Sequence, residues 1–499
     1  MIPAPATVHS AGIDPFLLTS RARIAGDPDA ASVLTHLLDA LLGETFPIAD
    51  EGEIALTVDG TGAAESYRLS VDAAGVTVVG ADSAGLFYGV QTLAQLVERT
   101  ADGVRIPAVR IDDAPRFPYR GVMLDVARHC FDVPTVKAVI DRAALLKLNH
   151  LHLHLTDDQG WRLHLDSRPE LTARGAGTAV GGDPGGFYTK DDYREIVAYA
   201  ASRHITTVPE IDLPGHTHAL GLAYPDVAHD PVVTPDVLAH GERAGEQPPR
   251  RGEPYEGTAV GFSSLRIHDD ATYDLLRDVL GELAALTPGP YLHIGGDEAH
   301  GTDPADFAVF IERASAIVAE YGKTVVAWHE AGAAPGLARG SVGQYWGFVV
   351  PLDGMDAKAR AFADGGARVI LSPADAVYLD MKYDAETRIG LEWANGPTSV
   401  RRSYEWEPAE VIPGLPESAI LGVEAPLWTE TVRTLADIDE LAFPRLASAA
   451  EAAWSPATGS SELRTWESFR ERVAAQGELW TALGIAFHRS PEIPWPESR

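Results

Sequence analysis

The chain has 499 residues, 45% of them hydrophobic and 22% charged, which suits a globular protein with a large core. Its 72 acidic against 40 basic residues leave a formal charge of −32, which disfavours nucleic acid and anionic membranes as partners. A single cysteine, Cys130, excludes an intrachain disulfide, and no run of about 20 apolar residues offers a membrane-spanning helix.

The opening Met1-Ile2-Pro3-Ala4-Pro5 lacks the basic and apolar regions of an export signal. The chain therefore reads as cytoplasmic, or as secreted with its export signal absent from this sequence. Residues 1–115 predict a small α+β domain. Within it, 32–42 predicts a helix, 53–58 a strand, and 67–71 with 76–79 a hairpin turned by Asp72-Ala73-Ala74-Gly75. Leu86, Val90, Leu93 and Leu96 recur at helical spacing over 84–97, and 104–111 returns as one strand. Asp112-Asp113-Ala114-Pro115 is the expected boundary.

From Phe117 the pattern becomes strand, loop, helix, repeated. The expected strands are 121–125, 150–155, 205–211, 291–296, 324–328, 342–346, 369–372 and 420–427. Pro134 suits a helix start, Thr189 with Asp192 a capping box, and Phe307, Phe310, Ile311, Ala314 and Ile317 one apolar helix face after Pro304. Eight alternations predict a closed (β/α)8 TIM barrel in a second domain, 116–499, ending in helices over 462–483 stopped by Gly484. Residues 224–261, rich in proline, predict a long structureless loop after the third strand, mobile over 245–254. The glycine-rich run 175–186 lacks the Gly-Lys-Ser/Thr ending of a phosphate loop.

Barrel chemistry gathers at the carboxyl ends of strands. There the sequence places Asp125, Arg128 and His129; Asp157, Asp158 and Trp161; Glu210, Asp212 and His216; Asp297 and Glu298; Trp328; Tyr345 and Trp346; Tyr378 and Asp380; and Trp428 and Glu430. An Asp-Glu pair alone is usually a solvated turn. At a strand end, however, two adjacent carboxylates push their pKa values apart, giving one anion and one acid. Gly295 and Gly296 before them predict close approach of a ligand to the backbone. Indoles alternating with carboxylates on one rim suit a sugar, whose C–H faces stack on rings while its hydroxyls donate to carboxylates. Asp125 is expected to hold Arg128 or a backbone group, and Arg128 to touch the ligand. His152 and His154 share one face of their strand and read as a satisfied core pair. Their competing use is a metal site with Asp157, His216, His293 and Asp297, which would need no aromatic pocket, so no metal or other cofactor is expected.

The stretches Arg120–His129, Leu151–Trp161, Val208-Pro209-Glu210-Ile211-Asp212-Leu213-Pro214-Gly215-His216-Thr217, His293-Ile294-Gly295-Gly296-Asp297-Glu298 and Gly422–Glu430 together make the sequence resemble the β-N-acetylhexosaminidases of glycoside hydrolase family 20. The resemblance spans nearly all of residues 45–495. It implies a retaining, substrate-assisted hydrolysis of terminal β-linked GlcNAc or GalNAc, in which the sugar's own acetamido oxygen attacks the anomeric carbon. It implies that Asp297 accepts from the acetamido N–H, that Glu298 is acid and then base, and that Tyr378 donates to the acetamido oxygen. It further implies that Asp157 and His216 tune Glu298, and that Trp328, Trp346 and Trp428 wall the acetamido pocket. Arg128, Asp380 and Glu430 bind hydroxyls, and Trp393 stacks on the sugar beyond the cleaved bond. The implied partner is an oligosaccharide or glycoconjugate, with oligomeric state left open. The alternatives are a disaccharide-releasing or modified-GlcNAc enzyme, a metal-dependent barrel hydrolase, or a carbohydrate-binding protein, whose sign would be loss of Asp297 or Glu298. The long 224–261 segment bears on the preferred leaving group.

Overall fold

In a computed structural model, which describes residues 1–10 and 14–496, eight parallel strands close into a barrel. Residues 11–13 and 497–499, inside the two expected domain spans, lie outside the described residues. The barrel strands are β1 (Tyr119–Asp125), β2 (His150–His154), β3 (Thr206–Glu210), β4 (Tyr291–His293), β5 (Thr324–Trp328), β6 (Val342–Tyr345), β7 (Val369–Leu371) and β8 (Ile420–Leu427). Closure comes from β1 pairing with β8, Tyr119 opposite Gly422. Each strand lies where its apolar run predicts. The one marked difference is β4, which stops at His293 because Gly295 and Gly296 turn to φ 67° and 105°, outside the extended region.

The helices between strands form where the sequence supplies caps. Asp132 accepts from Thr135 N–H at the head of Val133–Leu145. Thr189 and Asp192 make the expected capping box on Lys190–Ala201. Asp303 caps Pro304–Glu320, which buries Phe310, Ile311, Ala314 and Ile317. After β5 comes the short turn His329–Ala333, and after β7 the short helices Ala374–Val377, Val400–Tyr404 and Pro408–Val411. The terminal helices Trp466–Ala474 and Gly477–Ala482 precede Gly484, which takes φ 70° as the expected stop.

Before the barrel, a six-stranded sheet packs against helices Pro28–Leu42 and Ser83–Gln95. The hairpin forms as expected, Tyr67–Asp72 against Gly75–Gly80. The single strand expected over 104–111 is instead two strands in different sheets. Gly103–Ile106 pairs with Phe16–Leu18 and Glu98–Thr100, whereas Val109–Asp113 lies between Thr7–Ser10 and Tyr67–Asp72. Pro107 has no N–H to continue a ladder, and the chain changes sheet there. Asp113 then seals the seam with the barrel. Buried, it accepts from Lys147 (3.0 Å), Tyr67 (2.7 Å) and Trp454 Nε1 (3.0 Å).

The 224–261 segment is not structureless. It contains helix Pro235–Ala244, whose Thr234 cap accepts from Val237 N–H and whose Gly245 closes it at φ 74°. Pro235 sits in the first turn, where the missing N–H costs nothing. Val237, Tyr255, Ala259 and Phe262 form a small core of their own under this helix. The stretch expected to be mobile is held by Arg251 to Asp230 (2.9 Å) and by the Glu253 carbonyl to His218 (2.8 Å).

Candidate active site

Beyond β4 the chain turns through the two glycines and delivers Asp297 and Glu298 to the barrel mouth. The glycines do not open the backbone to a ligand, as the sequence suggested. A Cβ on Gly295 would stand 1.6 Å from Asp212 Oδ1, and Gly296 N–H donates to that same oxygen (3.1 Å). Gly295 makes room for Asp212, Gly296 takes a φ of 105° that a side chain would strain, and this turn orients Asp297. Asp297 is buried and its Oδ1 has no partner among the described residues. Burial, with Glu298 adding its charge, pushes the Asp297 carboxyl above the usual aspartate range against the pull of His216. Glu298 sits at φ 44° with its side chain 30% exposed, so it faces the cleft while its neighbour Asp297 is sealed in.

Behind the pair stands His216, its Nε2 3.5 Å from Glu298 and 3.7 Å from Asp297. Its Nδ1 lies 3.1 Å from Asp157 Oδ1. Burial alone would raise the Asp157 pKa, but Arg128 at 2.7 Å and then His216 hold it well below the usual range. Asp125 does what its position suggests. Its oxygens accept from the Ala127, Arg128 and Thr429 amides.

A cleft of about 650 Å³ opens above these groups, in the range of sites that enclose a whole small ligand. Arg128, Asp297, Glu298, Trp346, Tyr378, Asp380, Trp393, Trp428 and Glu430 all line it. Trp328, His216 and Asp157 lie beneath. Trp328 is fully buried, 6.1 Å from Trp428 ring to ring, and its indole donates to Glu210 (3.0 Å). Trp393 is 46% exposed and stands edge-on to Trp346 (6.0 Å) and Tyr378 (5.7 Å) at the outer lip. Both Asp380 oxygens and Glu430 Oε2 are buried without partners among the described residues. Such atoms are costly unless something donates to them, and ring hydroxyls are donors of the right kind. Burial raises both pKa values, Asp380 well above its ordinary range with Glu430 adding to it, and Glu430 to about 7 against the pull of Arg128.

Two contributors, Glu330 and the helix Pro235–Ala244, were not singled out from the sequence, and a third, Glu210, reads there only as a strand-end acid. Glu330 accepts from Trp346 Nε1 (3.0 Å) and fixes that ring, and burial then Asp297 raise its carboxyl to about 8. Glu210 holds Trp328 from below. The helix Pro235–Ala244 adds Asp236, Val237, His240 and Arg243 to the cleft wall. Thr234-Pro235 followed by Gly245 was the readable signal for that helix. As for metals, His152, Glu210 and His293 lie close enough to share an ion, but Glu210 already accepts from His152 (3.1 Å), His154 and Trp328, so its lone pairs are committed.

The catalytic-domain model of glycosyl hydrolase family 20 matches residues 117–457, and the family's domain 2 model matches residues 1–114. The chain belongs to glycosyl hydrolase family 20. A β-N-acetylhexosaminidase of Cellulomonas fimi is 42% identical, over 99% of this chain and 97% of its own length. A solved family 20 β-N-acetylglucosaminidase superposes with a TM-score of 0.91 at 62% identity, covering 99% of each chain. The Streptomyces plicatus N-acetyl-β-hexosaminidase, solved in complex with Thio-NAglucal, gives 0.90 at 46% identity over 99% of this chain and 97% of that one. The family 20 barrel seen here therefore carries a glycoside hydrolase.

Proposed function

We propose that this family 20 hydrolase removes terminal β-linked N-acetylhexosamine from oligosaccharides or glycoconjugates, the substrate's acetamido oxygen serving as nucleophile. The observation that carries the reading is Asp297. It is a buried carboxylate with an unpartnered oxygen, among the indoles of Trp346 and Trp428 and beside Tyr378. It accepts the acetamido N–H, while Tyr378 donates to the acetamido oxygen and points it at the anomeric carbon. As that oxygen bonds to the carbon, the glycosidic C–O bond breaks and the leaving oxygen takes the Glu298 proton. Glu298, now a base, draws a proton from water, which opens the oxazolinium ion from the face the leaving group left. Configuration is retained. Arg128, Asp380 and Glu430 hold the ring hydroxyls, and Asp157 with His216 positions Glu298.

Holding the nucleophile within the substrate replaces a bimolecular encounter, and such intramolecular attack has a large effective molarity. An aryl β-N-acetylglucosaminide is therefore expected to outrun the matching aryl β-glucoside by at least about 1,000-fold in kcat/KM. Similar rates on the two would refute the assignment of the nucleophile.

The leaving group is proposed to lie between Trp393 and the helix Pro235–Ala244. Arg243 lines the cleft there, exposed and with no ion-pair partner among the described residues. Arg243→Ala is expected to raise KM for chito-oligosaccharides about tenfold, the worth of a hydrogen bond to a charged group, and to leave aryl glycosides unchanged. Steady-state kinetics on both substrates check this, and equal KM on the oligosaccharide would remove this wall from the leaving-group site.

A further inference from the structure

Inside the barrel, buried side chains form one connected file that ends at the acid–base pair. Glu424 of β8 accepts from Tyr119, from Gln344 (2.7 Å) and from His152 Nδ1 (2.9 Å). His152 Nε2 lies 3.1 Å from Glu210 Oε2, and that same oxygen meets His154 Nδ1. His154 Nε2 lies 2.8 Å from Asp157 Oδ2, and Asp157 reaches Glu298 through His216. We propose that Glu424, His152, Glu210 and His154 are positioning residues that hold a fixed, alternating set of charges behind Glu298 and so set the pH range of catalysis. The proposal rests on the reading of Glu298 as the acid.

The charges follow from counting protons. Both nitrogens of His152 and of His154 face a carboxylate oxygen. An ionised carboxylate only accepts, and a neutral imidazole donates from one nitrogen alone. Each ring therefore carries two N–H groups and a positive charge. The carboxylates stay ionised because other donors crowd them. Glu210 Oε1 takes the Trp328 indole N–H (3.0 Å). Asp157 takes Arg128 (2.7 Å) and the Asp158 amide (2.6 Å). Burial opposes charge on His152, yet Glu424 and Glu210 raise its pKa to about 9, and Glu210 and Asp157 raise that of His154 well above the ordinary histidine value.

Asp125 and Glu430, beside Arg128, and Asp158, Asp212 and Asp297, around His216, are the acidic groups that face this file at its upper end. Two basic groups face it as well: Arg128 Nη1, 3.4 Å from His154 Nε2, shares Asp157 Oδ2 with that ring, and His293 stacks on His152 with ring centres 4.6 Å apart. With the file intact, each anion in it is offset by a neighbouring imidazolium. Removing one imidazolium leaves a negative charge uncompensated beneath Glu298 and Asp297, and both carboxyls then hold their protons more tightly.

The experiment has two arms on the full-length protein. In 15N-histidine spectra, two rings, assigned by their loss in His154→Gln and His152→Gln, should stay imidazolium from pH 5 to 8. A neutral tautomer, or titration in that range, overturns the proposal. In pH profiles of kcat/KM on an aryl β-N-acetylglucosaminide, His154→Gln should move both limbs to higher pH by about one unit, as expected for one charge at this range in a partly screened interior. His152→Gln, farther down, should move them the same way by less, and it carries the test if His154→Gln does not fold. Lower rates with unmoved limbs would mean a packing role only and overturn the proposal. Absence of wild-type hydrolysis would instead refute the activity, while the spectra would still decide the charges.

Discussion

Glu298→Gln is expected to lower kcat/KM on chito-oligosaccharides by about 1,000-fold, within the range of lost general acid catalysis. The amide keeps the size and backbone preference of the side chain, so the φ of 44° and the turn that sets it are retained. What it loses is a transferable proton. A departing sugar oxygen is a poor leaving group and needs that proton as its bond breaks. A nitrophenolate does not, so the first step should survive on the aryl glycoside and its rate should fall much less. The second step still lacks a base for water. Azide, an anionic nucleophile that needs no base, should therefore restore turnover of the aryl substrate and give a β-glycosyl azide. The comparison needs only initial rates on the two substrates. Equal loss on both would take the acid role from Glu298.

The barrel was legible because its strands are buried on both faces and many read as apolar runs between cap signals, as at β5 and β7. The residues of the rim were legible because strand ends are fixed points in such a barrel. What sequence could not supply was depth. Trp328 and Trp346 look alike as strand-end indoles, yet one is sealed beneath the cleft and the other lines it. Glu210 reads as one more strand-end acid, and only packing reveals that its two oxygens serve His152, His154 and Trp328. Gly295 was misread for the same reason. Its missing side chain is filled by Asp212, which comes from a different strand end, a long-range contact that no local pattern records. In the 224–261 segment the prolines read as loop signals, and the first-turn tolerance of Pro235 was overlooked.

Asp297→Asn is expected to lower kcat by about 1,000-fold, with KM changed far less, since the loss falls on charge that exists only near the transition state. The sugar keeps its contacts to Arg128, Asp380 and Glu430, so binding survives. An asparagine oxygen can still accept the acetamido N–H, but it brings no negative charge to the oxazolinium. Its NH2 must also face either that N–H or His216, whose Nε2 lies 3.7 Å from Asp297. The pH profile gives a second readout. Burial and the charge of Glu298 raise the Asp297 pKa, and the ionised form is the working one, so wild-type activity should fall as pH drops through a value above the ordinary aspartate range. With no carboxyl to protonate at 297, D297N should lose that acid limb. A thiazoline that mimics the cyclic intermediate separates this from simple misplacement. It should bind wild type tightly and D297N at least about 100-fold more weakly, because its ring cation would meet a neutral amide. Wild-type turnover in D297N, or undiminished thiazoline affinity, would leave the buried, unpartnered oxygen of Asp297 without a catalytic purpose and return the choice of nucleophile to the protein.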